Sequence, residues 1–251
     1  LKDIYELSSG QVPTTVVSSI TITKYPNQIK DLLDSISPKQ PQISYTFYDV
    51  LTQKIAYSKD IDKYFQTTPY YGNFRDLFVA NLDTAARLTI CNAPINIARN
   101  SPKEHPIHYA AFDSKYRKWL SDNFKKAFGI DVTPNILNGA TIPLCMGEPV
   151  KLFGEYDDEQ MRQEAYAAKL GTYMQVQNQG DGIKSFTGIL LYLMLNYFCT
   201  FLIDEPESFL HPPHANIMGQ IIGQTLSDKQ QCFISTHSEE IIKGLLEVCP
   251  E

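Results

Sequence analysis

Residues 199–217 read "CTFLIDEPESFLHPPHANI". An apolar run ends on two carboxylates, Asp204 and Glu205, passes a proline to a third, Glu207, and continues to Leu-His-Pro. Carboxylates driven onto the end of a buried strand are costly unless a cation or hydrogen-bond donors meet them. A second apolar run, "CFISTHS", ends in Ser235, Thr236 and His237. Upstream, "GDGIKSF" opens another run on Gly180 and Gly182. A helix starting there has free N–H groups that suit an anion. Read singly, each feature has a plainer meaning: Asp204 and Glu205 capping a helix, and His237 a satisfied core histidine.

The elements that must position these groups are clearest from residue 180 onward. "GDGIKSFTGILLYLMLNYF" reads as a helix opening on glycines, "CTFLIDE" as a strand and "HPPHANIMGQIIGQTLSD" as a helix. "QQCFISTHS" then reads as a strand and "EEIIKGLLEV" as a helix. Strands and helices alternating at this density predict a parallel sheet covered by helices. In such sheets chemistry gathers at the carboxyl ends of the strands, where Asp204, Glu205, Ser235, Thr236 and His237 all fall.

The earlier part of the chain is less regular. "LKDIYELSSG" reads as the tail of a helix, "TTVVSSITITKY" (14–25) as a strand and "PNQIKDLLDSI" (26–36) as a helix. "QISYTFYDV" and "KIAYSK" pair as a hairpin, and "ARLTICNA" (86–93) reads as a strand. Residues 101–130 predict a helical insertion, with Tyr116, Trp119, Leu120 and Phe124 on one face and Gly129 at its end. Short β pieces follow over 131–156, and 157–175 is helix-forming.

The net charge of −6 gives no global electrostatic case for nucleic acid. The 5 cysteines lack CxxC spacing, which predicts free thiols in a reducing compartment rather than a disulfide framework or zinc site. The longest apolar stretch, 188–203, divides into a helix and a strand and runs into Asp204, so no membrane span is expected. We find no signal peptide and expect a cytoplasmic protein.

"FLIDEPESFLHP" resembles the Walker B segment and following loop of ABC-type ATPases, in the form seen in RecF-like and OLD-like (overcoming lysogenization defect) AAA proteins with SMC-like heads. "FISTHS" is similar to that family's switch-histidine segment, and "NQGDGIKSF" to its signature motif. The three stand in the family's order from residue 178 onward; residues 1–175 carry no comparable motif. The resemblance implies a P-loop NTPase of α/β class with a mostly parallel core sheet, an antiparallel β portion and a helical insertion. It implies ATP and Mg²⁺ as cofactors, with Asp204 as the metal ligand, Glu205 polarising the attacking water and His237 contacting the γ-phosphate. Gly180, Asp181, Gly182 and Lys184 would face the nucleotide of a second ATPase domain, so that ATP is held between two copies of the chain. The family's work suggests DNA transactions or anti-phage defence with a nuclease effector on a partner. A nucleotide-sensing scaffold with little hydrolysis is the second reading. A transporter ATPase is the third, and "NQGDG" lacks the serine of its signature.

One family element is missing. None of the 13 glycines is followed by lysine, so no Walker A loop is present. "GDGIKS" is not one, because Ile183 separates Gly182 from Lys184. Residues 1–251 therefore read as an ATPase domain without its P-loop strand, and we expect Walker A just upstream of Leu1. A parent protein without that loop would be a pseudo-ATPase. Gln40, Gln42 and Gln53 are all candidates for the family's glutamine loop. Lys115, Arg117, Lys118, Lys125 and Lys126 present a basic face to a nucleic acid or, on the plainer reading, to water.

Overall fold

A computed structural model describes residues 46–48, 55–57, 79–99, 101, 103–148, 150, 158–195, 198, 200–227 and 230–249. In chain order the elements are β1 (Thr46–Tyr48), β2 (Ile55–Tyr57), β3 (Val79–Leu82) and α1 (Thr84–Thr89). Next come α2 (Pro106–Phe112), α3 (Ser114–Phe128), β4 (Val132–Pro134), β5 (Leu144–Met146) and α4 (Glu159–Gly171). The last are β6 (Met174–Gln175), α5 (Asp181–Met194), β7 (Thr200–Asp204), α6 (Pro212–Thr225), β8 (Gln231–Ser235) and α7 (Glu239–Val248). The fold is α/β, as expected, with a parallel sheet in the order β3-β7-β8. The strand bearing Asp204 is its middle member.

The chain forms two compact units. The first comprises Leu1–Asn81, Tyr197–Ile203 and Asp228–Phe233. In it β1 and β2 form the expected antiparallel hairpin, with Thr46 opposite Tyr57 and Tyr48 opposite Ile55. Phe198 and Phe201 meet edge to face at 5.8 Å. The predicted elements at 1–10, 14–25 and 26–36, and all three candidate glutamines, lie outside the described residues.

The second unit, Leu82–Asn196, Asp204–Ser227 and Ile234–Glu251, holds the carboxyl ends of the three parallel strands. Within it α5 is buried on every side from Ser185 to Met194, as expected of a core helix. Among the described residues no helix is long and apolar enough to cross a membrane. α3 contributes Leu120 and Phe124 to the core. Phe128 at its end packs on Phe186 of α5 at 5.1 Å and on His214 of α6 at 4.9 Å. Gly129 closes α3 in the left-handed region at φ 73°, as the sequence predicts. β4, β5 and β6 form a separate antiparallel sheet, with Val132 opposite Met146 and Cys145 opposite Gln175.

One sequence expectation fails. Residues 86–93 do not form a strand; α1 covers Thr84–Thr89 and a turn follows. Asp83 caps the helix by accepting the Ala86 N–H at 2.8 Å. Ala85, Ala86, Arg87 and Leu88 then continue it, being among the strongest helix formers. The alternation of "RLTI" suggested β, but the cap just outside that window decides the matter.

α6 and α7 cross backbone to backbone. A Cβ on Gly244 would meet the Asn216 carbonyl oxygen, and one on Gly219 the Ile241 carbonyl oxygen. We expect Gly244→Ala to destabilise the protein by about 1–3 kcal/mol in urea unfolding, despite alanine's better helix propensity. Gly171→Ala, at the open end of α4 where nothing lies within 4 Å, should be neutral or stabilising.

A pH dependence follows from α2. Burial pushes the His105 pKa from 6.5 down to about 3, with His108 adding repulsion, and burial lowers His108 as well. His105 is therefore neutral when folded and accepts a proton more readily when unfolded. Its contribution to stability should be intact above pH 6.5 and decline as pH falls from there toward 3. His105→Asn keeps an acceptor for the Ile107 N–H that His105 now caps and removes the titration. Its unfolding midpoint should fall less steeply than wild type between pH 7 and 5.

Candidate functional site

The question raised by the strand end has a structural answer. β7 buries Phe201, Leu202 and Ile203 and delivers a half-buried Asp204. Beneath it lies Arg87 of α1, with 0% of its surface exposed. Its Nη1 donates to the carbonyl oxygens of Asp204 and Leu82, and its Nη2 to Thr84 Oγ1 at 3.1 Å. Only Nε is buried without a partner. Burial lowers the pKa of this guanidinium, while Asp204, Asp83, Glu207 and Glu205, in descending order, raise it. Arginine remains charged through such a contest. A buried cation thus ties the carbonyl ends of β3 and β7 together, with nearby carboxylates adding attraction.

After Asp204 the chain turns sharply. Glu205 and Phe209 are both in the left-handed region, at φ 43° and 68°, which costs each residue on the order of 1–3 kcal/mol. The turn is held by the Glu205 N–H on the Ser235 carbonyl (2.8 Å), Ser208 N–H on the Glu205 carbonyl (2.9 Å) and Leu210 N–H on the Glu207 carbonyl (2.8 Å). The exposed Glu205 accepts from Ser208 Oγ at 3.1 Å through Oε2. Neither Asp204 nor Glu205 caps a helix, since the N-cap of α6 is His211.

His237 lies just beyond β8 and is exposed, so it is not a core histidine. Its backbone N–H donates to Glu207 Oε1 at 2.9 Å, and Thr236 Oγ1 donates to Glu207 Oε2 at 2.8 Å. The structure therefore brings Asp204, Glu205 and His237 to one end of the sheet.

The glycine segment forms the start of α5. Gly180 is its N-cap and makes no side-chain cap bond. A Cβ on Gly182 would lie 2.6 Å from the Phe209 carbonyl oxygen, so only glycine lets this helix start approach the loop after the carboxylates. Lys184 Nζ pairs with Asp181 Oδ1 at 2.7 Å. The Lys184 carbonyl accepts the Cys91 thiol at 3.1 Å, and burial raises that thiol's pKa to about 12.

Sequence reasoning missed Arg87 and Glu207. Arg87 was hidden by the strand reading of its segment. Glu207 stood in view as the third carboxylate of "DEPE", but its partners come from another strand end. The basic face of α3 is largely committed within the chain. Lys118 pairs with Asp122 and Lys125 with Asp131, each at 2.7 Å, and Arg117 donates to the carbonyls of Ala110 and Ala111.

Among the described residues no group of three or more His, Cys, Asp or Glu side chains could hold a metal. Asp204 and Glu205 nonetheless supply carboxylate oxygens side by side in the chain. A hard dication that retains water and shares phosphate oxygens needs only one or two such ligands, so the donor set fits Mg²⁺ arriving with a nucleotide.

Among solved structures the chain is similar to an SMC ATPase studied for ATP-driven dimerization and DNA-stimulated activation (TM-score 0.35, 13% identity, 53% of this chain and 75% of that one). It is similar to an SmcHead bound to the C-winged helix domain of ScpA (TM-score 0.42, 13% identity, 77% and 56%). It is also similar to the Smc head domain with an extended coiled coil bound to the C-terminal domain of ScpA, derived from Pyrococcus furiosus (TM-score 0.35, 11% identity, 54% and 32%). No curated protein matches the chain. The family model of the AAA ATPase domain matches residues 18–242, and with most of the chain inside that match the protein belongs to the AAA ATPase domain family.

Proposed function

We propose that this domain binds ATP with Mg²⁺ and hydrolyses it, and that the nucleotide draws two such domains together head to tail. The observation that supports this most is the shared placement of Asp204, Glu205 and His237, with Glu205 N–H bonded to Ser235 and Glu207 bonded to Thr236 and His237. Bound Mg²⁺ would neutralise charge on the triphosphate. Asp204 would hold the ion through a carboxylate oxygen. Glu205, turned out of the strand by its left-handed backbone, would take hydrogen bonds from a water and orient it. His237 would donate to the terminal phosphate. Phosphoryl transfer asks chiefly for such positioning and charge stabilisation.

The start of α5, with Gly180, Asp181, Gly182 and Lys184, serves the nucleotide of the second domain in this reading. Lys184 leaves Asp181 to reach it. The reading requires a Walker A loop upstream of Leu1. The "DEPE" and "LHP" loop supports reading the domain as one of the RecF/OLD-like branch, and with it a role in DNA transactions or anti-phage defence beside a nuclease effector. That assignment rests on the resemblance of residues 201–212.

Phosphate release by the full-length protein tests the core of the proposal. Wild type should turn over ATP only with Mg²⁺. Glu205→Gln should lower kcat by about 10²–10⁴-fold while still binding ATP and accumulating as an ATP-bound dimer in size-exclusion chromatography. ATP binding without turnover in wild type, with DNA or effector present, would instead favour the nucleotide-sensing scaffold.

A further inference from the structure

We propose that Glu207 is a positioning residue whose carboxylate clamps the Thr236–Ser238 segment, so that His237 is held at a fixed place beside the Asp204–Glu205 turn. The inference rests on the ATPase reading, because it assigns His237 a position that matters to phosphate chemistry.

Both oxygens of Glu207 are used on that segment. Oε1 accepts the His237 backbone N–H at 2.9 Å, and Oε2 accepts the Thr236 hydroxyl at 2.8 Å. With its proton directed at Glu207, Thr236 Oγ1 offers a lone pair to the Ser238 N–H at 3.0 Å. Ser238 Oγ in turn caps α7 by accepting the Ile241 N–H. The carboxylate therefore begins a relay that ends in the first turn of a helix.

The same segment is tied a second time, through the Ser235 carbonyl and the Glu205 N–H at 2.8 Å. These two ties close a ring: Glu205, Pro206 and Glu207 on one side, Ser235, Thr236 and His237 on the other. Pro206, buried between the two glutamates, stiffens the first side. A ring joined at two points cannot shift one side without the other. Glu205 and His237 would then keep their mutual placement whether or not a nucleotide is present.

The residue type suits the task. An ionised carboxylate only accepts; the His237 N–H only donates, and the Thr236 hydroxyl donates here. The Glu207→Gln change would turn its NH₂ to Thr236 Oγ1, reverse that bond and replace two charge-assisted bonds by weaker neutral ones. Glu207→Asp would leave the side chain one methylene too short to span both. His237 joins the ring through its backbone, so truncating its side chain leaves the clamp in place.

That separation defines the experiment. In the full-length protein, Glu207→Gln and Glu207→Asp are made alone and together with His237→Ala, and phosphate release is measured with Mg²⁺ and ATP. Glu207→Gln alone should lower kcat by about 10–100-fold with KM for ATP nearly unchanged. In the His237→Ala background it should add no further loss. Losses that multiply, or that appear only in KM, would overturn the proposal. Amide hydrogen exchange gives a readout independent of turnover. The His237 N–H should exchange at least about tenfold faster in Glu207→Gln, with amides of α6 and of α7 beyond Ile241 unchanged. Unchanged exchange at His237, or acceleration throughout the fold, also overturns the clamp. A wild type that lacks turnover would sink the ATPase reading instead, and exchange at His237 would then decide the clamp alone.

Discussion

A guanidinium buried beneath a strand end is the contact on which the site depends. Arg87 is fully covered, yet it carries a charge, and a buried charge is tolerable only with partners. Its partners are the carbonyls of Leu82 and Asp204 and the hydroxyl of Thr84, with four carboxylates contributing attraction. The dependence is mutual. The guanidinium fixes the backbone at the end of β7 through the Asp204 carbonyl, and it can be buried because those carbonyls and carboxylates surround it. The backbone of α1 also comes so near α5 that a Cβ on Gly188 would meet the Arg87 carbonyl oxygen, and Cys91 reaches the Lys184 carbonyl. One short helix thus touches both the carboxylate end of β7 and the helix that opens on Gly180.

Above this anchor the chain adopts a conformation that ordinary residues avoid. Glu205 and Phe209 both sit at positive φ. Such strain persists only where surrounding contacts outweigh it, and those contacts are the Ser235 bond, the two turn bonds and the Glu207 clamp. The strain has a geometric result. An extended Glu205 would continue the alternation of the strand, whereas the left-handed Glu205 breaks from it. Adjacent carboxylates thereby acquire different surroundings, Asp204 half-buried over Arg87 and Glu205 exposed beside Ser208. Under the proposed reading, two residues of the same chemistry are in this way prepared for different tasks.

The alternation from α5 to α7 was legible because each local signal agreed with the next. Gly180 stands at the N-cap, a proline at the start of α6 and Ser238 at the cap of α7, and each bounds a run with the apolar period of its element. The hairpin and the end of α3 at Gly129 were legible for the same reason. α1 was not, because "RLTI" alternates like a strand while the deciding signal, the Asp83 cap, lies before it. Arg87 and Glu207 were illegible for a different reason. Their identities were plain, but their roles reside in partners far along the chain: Asp204 for one, Thr236 and His237 for the other. Periodicity reports which face is buried; it does not report which strand ends meet.

The Asp181–Lys184 pair bears on how the start of α5 could meet a nucleotide. An aspartate in the first turn of a helix is favoured by the helix dipole and by itself opposes a second anion there. Lys184, one turn on, already cancels that charge at 2.7 Å. The pair lies at the surface, with Asp181 exposed and Lys184 partly covered. Surface pairs contribute only about 0–1 kcal/mol, so little holds Lys184 to Asp181 against a triphosphate of greater charge. Under the proposed reading, the aspartate occupies Lys184 until the second domain brings its nucleotide and then releases it. The absence of the transporter-type serine is consistent with that arrangement, because no side chain caps the helix start at Gly180 and a cation stands one turn away. What would distinguish such a site from a serine-based one is a stronger dependence of domain pairing on ionic strength, since its main new contact is between charges.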